Sequence, residues 1–144
     1  DYRQKLLYAQ TLAGIGLSNA GAAAPHPLSE IIGGITHISH GEALALIFPE
    51  FLRRQYKLNI SKFATIARIF DETLNTMSDK EAATKLGDII EQFLKDIDLF
   101  YRFENYNVTD EQFNAIINCP VLGFLPFGNK EDLQKIILDS MELR

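Results

Sequence analysis

Helix-start signals recur along this chain, and nowhere does a convincing period-two alternation answer them. Ser78-Asp79-Lys80-Glu81 is a capping box, in which a hydroxyl and a carboxylate three residues apart satisfy two otherwise orphaned backbone donors. Behind it Ala82, Leu86, Ile89, Ile90, Phe93 and Ile97 recur at helical spacing, which predicts a helix ending near Leu99 with that stripe in the core. Thr109-Asp110-Glu111-Gln112 is a second box, before Phe113, Ile116 and Ile117 in a helix that must stop before Pro120. Asn129 opens a last helix with Leu133, Ile136, Ile137 and Met141 on its apolar face. Residues 120–128, carrying Gly123, Pro126 and Gly128, read as an apolar loop. The prediction is an all-α domain of about seven helices.

The earlier half fits the same pattern. Leu6, Leu7, Ala9, Gln10, Ala13 and Leu17 make a helix over about 2–17. Gly14, Gly16 and Gly21, among alanines, lack the GxGxxG spacing and follow a helix, so they predict close backbone packing or a substrate-facing wall, not a dinucleotide loop. Residues 41–56 are apolar nearly all round, which predicts a central helix kinked at Pro49. Its end carries Arg53, Arg54 and Lys57, read as a solvated helix end favoured by the dipole. Asn59 or Ser61 caps the next helix, with Phe63, Ile66, Ala67 and Phe70 on one face.

Composition narrows the class. The chain has 144 residues, 47% hydrophobic and 23% charged, enough for one domain with a sizeable core. A net charge of −5 argues against nucleic acid as a partner. No apolar run approaches the length of a membrane span. Cys119 is the only cysteine, so no internal disulfide forms, which is compatible with a reducing cytosol; the expected location is cytoplasmic. The chain opens at Asp1 within a helical pattern, which leads to the expectation of a fragment of a longer protein.

All three histidines fall in HPLSEIIGGITHISHG, residues 26–41. Neutral imidazole is the commonest metal ligand. A helix from about Pro27 to Ile35, a bend and a second helix opening near Gly41 would bring His26 and His40 to one point. Glu30 shares a helical face with His26, and His37 lies three residues before His40. His26, Glu30 and His40, with His37 nearby, make a half-site for a divalent cation. The alternative is a set of hydrogen-bonded, inert histidines, since no HExxH or CxxC motif is present.

The stretch LAGIGLSNAGAAAPHPLSEIIGGITHISHGEALALIFP, residues 12–49, resembles the signature region of the iron-containing (group III) alcohol dehydrogenases, relatives of dehydroquinate synthase and glycerol dehydrogenase. The shared features are an SNAG run, a histidine, a second histidine 14 positions on followed by glycine, and a helix with an internal proline. The resemblance implies a dehydroquinate synthase-like α-domain in which His26 and His40 bind Fe²⁺ or Zn²⁺. It also implies an N-terminal α/β domain that binds NAD or NADP, and an aspartate and a histidine on a preceding helix that complete the metal site. Neither has a counterpart in these residues. The implied activity is alcohol oxidation or aldehyde reduction, with the cation as Lewis acid and hydride exchanged with the nicotinamide. This stretch alone would be inactive.

The family's usual histidine four positions after the first is Glu30 here, at a position near the nicotinamide in relatives. Pro25 and Pro27 are a second departure, and predict a helix that starts or kinks there. Leu17 matches a position that often lines the substrate pocket, Cys119 falls near a loop that approaches it, and His37 is grouped with them. The apolar, small-residue face over 14–34 would stand uncovered, which predicts self-association, as in a homo-oligomer, or crystal contacts there. The competing reading is a non-catalytic all-α interaction module with structural histidines.

Overall fold

In the computed structural model of the chain, residues 1–126 and 128–141 are described, and seven α-helices carry the fold. They are α1 (Tyr2–Ala20), α2 (Pro25–Thr36), α3 (His40–Gln55), α4 (Ile60–Phe70), α5 (Asp79–Asp96), α6 (Asp110–Ile117) and α7 (Lys130–Asp139). Short 3₁₀ turns fall at Tyr56–Leu58, Glu72–Thr76, Phe103–Tyr106 and Pro120–Phe124. No strand occurs among the described residues.

The caps are those the sequence announces. Asn59, Ser78, Thr109 and Asn129 each accept a backbone N–H in the first turn of α4, α5, α6 and α7. Glu81 and Gln112 close reciprocal boxes with Ser78 and Thr109. The segment expected as an apolar loop at 120–128 instead winds into a 3₁₀ turn as far as Phe124; Phe127 lies outside the described residues. Pro120 at the start explains this, because its ring presets the helical φ and the first turn needs no N–H.

α3 is the centre, and continues through Pro49 to Gln55. α2, α5 and α7 pack against it, α4 lies on α5, and α6 supports α2. Leu28, Ile32, Leu46, Ile47, Leu86, Ile116 and Leu133 are fully buried in one core. α3 and α5 cross at Gly87, where an added Cβ would lie 2.4 Å from Arg53 Cγ and 2.9 Å from the Pro49 carbonyl.

Several expectations are corrected here. α5 ends at Asp96, and its buried face is Ala82, Ala83, Leu86, Gly87, Ile90 and Leu94. Phe93 and Ile97 are exposed, at 42% and 44%. On α4 the helix packs through Ala64 and Ala67, leaving Ile66 and Phe70 exposed. Small residues sit at these crossings because close helix approach excludes larger ones. Nor does Arg53 belong to a simple solvated helix end. It bonds Glu50 at 2.6 Å, Asp88 at 2.8 Å and Glu91 at 2.5 Å, while Arg54 pairs with Asp139.

α1 stands apart. None of its residues is buried, although Leu6, Leu7, Leu12 and Ile15 lie along it. Among the described residues nothing within 4 Å would meet a side chain at Gly14, Gly16 or Gly21, so the close packing expected of this small-residue stretch is absent at its glycines, while Ala24 at its end is buried in the core.

Candidate metal centre

Two helix beginnings meet at the site. Pro25 occupies the first turn of α2, where its missing N–H costs nothing, and His26 follows it. α2 runs on to Thr36, and His37 ends it in the left-handed conformation, φ 63°. The chain then turns through Ile38 and Ser39, and His40 is the first residue of α3. Two contacts help to hold this hairpin. A Cβ on Gly33 would fall 2.9 Å from the Ile38 carbonyl, so only glycine lets the returning chain approach so closely. The Gln112 side chain donates to the Ile35 carbonyl at 3.1 Å and ties the end of α2 to α6.

The result is a facing pair of imidazoles. His26 Nδ1 lies 3.2 Å from His40 Nε2, with ring centroids 5.2 Å apart and planes inclined by 33°. Two nitrogens bound to one tetrahedral cation at about 2.0–2.1 Å would lie about 3.3 Å apart. The spacing and the donor type therefore fit a shared divalent metal as two members of its coordination set.

Not every residue of the expected half-site joins them. Glu30 and His37 are exposed, and no group of three His, Cys, Asp or Glu suited to a metal forms among the described residues. Leu17 is half-exposed on α1. Cys119 is partly buried and directly precedes the turn Pro120–Phe124, with no capping hydrogen bond from its side chain.

Two features were not legible in the sequence. The first is Ser29, whose side chain touches both histidines' residues: its Oγ is 2.7 Å from the His26 carbonyl and 2.9 Å from His40 Nδ1. A serine three residues after a histidine, on a helix, was the available signal. The second is an apolar cavity of about 460 Å³ that opens beside His26, between Leu44, Phe48, Phe93 and Ile97. Phe93 and Ile97, expected in the core, are its walls. Leu17, Glu30, His37 and Cys119 do not line it.

No helix of the described residues is long and apolar enough to cross a membrane. The profile of the Fe-containing alcohol dehydrogenase family, C-terminal part, matches residues 1–138. The 1,3-propanediol dehydrogenase of Klebsiella pneumoniae is 30% identical over 127 residues, 88% of this chain and 33% of that protein. A probable NADH-dependent butanol dehydrogenase of Bacillus subtilis (strain 168) is 27% identical over 98% of this chain and 38% of its own length. The solved structure of a 1,3-propanediol oxidoreductase superposes with a TM-score of 0.82 at 26% identity, covering 93% of this chain and 36% of that one. The chain thus spans about a third of the length of these relatives.

Proposed function

The chain belongs to the Fe-containing alcohol dehydrogenase family, matching its C-terminal part, and from that premise we propose that it is the helical portion of an NAD(P)-linked alcohol dehydrogenase or aldehyde reductase, in which His26 and His40 hold the divalent cation. The observation that carries this reading is the 3.2 Å approach of two imidazole nitrogens from separate helices. When bound, Fe²⁺ or Zn²⁺ would polarise the oxygen of a small alcohol or aldehyde.

This chain's own contribution is placement. α2 and α3 present one ring each, the Gly33–Ile38 contact fixes their separation, and Phe48, Phe93 and Ile97 wall an apolar cavity beside His26. The remaining ligands and the nicotinamide site fall, on this proposal, in an N-terminal α/β domain and the segment joining it. The same reading assigns Leu17, Glu30, His37 and Cys119 to the border with substrate and nicotinamide, through surfaces which that remainder supplies. A lone thiol is at home in the cytoplasm, the proposed location. The isolated chain should be inactive and should self-associate through its uncovered apolar surface, α1 included.

The test uses the full-length protein. His26→Ala and His40→Ala should each lower bound metal and alcohol dehydrogenase activity together, with the far-UV circular dichroism unchanged. Full metal stoichiometry in both variants would reject the assignment.

A further inference from the structure

We propose that Ser29 is a positioning residue for the metal centre: its buried hydroxyl fixes the tautomer of His40 and so aims the lone pair of Nε2 at the cation. The inference rests on the reading of His26 and His40 as ligands. It comes from counting hydrogens. Ser29 Oγ carries a single proton, and its side chain is wholly buried, so no solvent partner alters the count. The His26 carbonyl, 2.7 Å away, has no proton to give, so the hydroxyl donates to it. His40 Nδ1, at 2.9 Å from the same oxygen, must then be the donor of the second bond. A neutral imidazole protonated on Nδ1 is unprotonated on Nε2, and Nε2 is the nitrogen that faces His26.

One hydroxyl therefore couples both ligands. It holds the backbone of His26 at the start of α2 and the ring of His40 at the start of α3. Metal-bound histidines generally donate their second ring N–H to a carboxylate, carbonyl or water, and losing that acceptor costs about 10–100-fold in metal affinity. Here a serine hydroxyl takes that place, and its own direction is set by the helix carbonyl three residues back.

The experiment compares wild type, Ser29→Ala, Ser29→Thr and His40→Ala in the full-length protein. In the metal-free state, ¹⁵N-labelled imidazole spectra report which nitrogen of His40 carries the proton. Chelator competition with Zn²⁺ reports affinity. Ser29→Ala removes one oxygen and suits a helix, so the fold should persist. It should lose the Nδ1–H signature of His40 and bind Zn²⁺ about 10–100-fold more weakly, and Ser29→Thr, which keeps the hydroxyl, should recover both. Ser29→Ala with the wild-type tautomer and an affinity within about twofold of wild type would overturn the proposal, even while His40→Ala loses the metal. Full Zn²⁺ affinity in His40→Ala would instead overturn the metal reading beneath it.

Discussion

Gly87 shows how a single missing side chain sets the distance between two helices. Its hydrogen faces the Pro49 carbonyl and the Arg53 side chain across the α3–α5 crossing. Arginine atoms can move aside, but the carbonyl belongs to the central helix and cannot. Gly87→Ala should therefore destabilise the protein by about 1–3 kcal/mol through overpacking, despite alanine's better helix propensity. Urea unfolding of the two proteins checks this; an unchanged midpoint would mean that α5 slides freely on α3. Residues of this kind are hard to read from a sequence. Gly87 sits inside a strongly helical pattern as an apparent flaw, and only the packing partner explains it. His26 and His40 were legible because their chemistry is rare in this chain and a short turn separates their helices. Ser29 was not, because its meaning depends on which atom holds a proton.

At the level of elements, helix starts were readable and buried faces were less so. A capping box is a local bargain among four residues, so Ser78 and Thr109 begin helices whatever surrounds them. Which side of a helix is covered depends on what arrives there. Phe93 and Ile97 have the spacing of a core stripe, yet they face a cavity beside His26. The charged residues follow the same rule. Arg53, read as a helix end facing water, joins α3 to α5 through Asp88 and Glu91, with buried Arg102 3.8 Å from Glu91. Burial works against the charge on Arg53, but hydrogen bonds to Glu91 and Asp88 and the nearby charge of Glu50 outweigh it and raise its pKa. Burial likewise pushes the Glu91 carboxyl up, while hydrogen bonds from Lys95 and Arg53 pull it further down, leaving it below the ordinary range. A depressed carboxylate stabilises the fold fully above its unfolded pKa of about 4.3 and loses that contribution as pH falls through the lower folded value. Stability should therefore drop as the pH is lowered below about 4. Glu91→Gln should flatten that drop in urea titrations; an identical pH profile would show that the ion pairs of Glu91 add nothing.

Across the whole molecule, the all-α architecture and the number of helices could be read from periodicity, but the state of α1 could not. Its apolar residues point in all directions, which is the pattern of a helix surrounded by protein. Among the described residues nothing buries any part of it. The chain spans about a third of its relatives' length, and the proposal places the covering surface, the nucleotide site and the other metal ligands in that larger context. The claim that ties these scales together is that one cation binds both His26 and His40. An anomalous-scattering map of crystals of the zinc-loaded full-length protein measures it most directly. The account predicts a single peak about 2.0–2.1 Å from one ring nitrogen of each histidine; a peak bonded to only one of the two rings, or to neither, would contradict it.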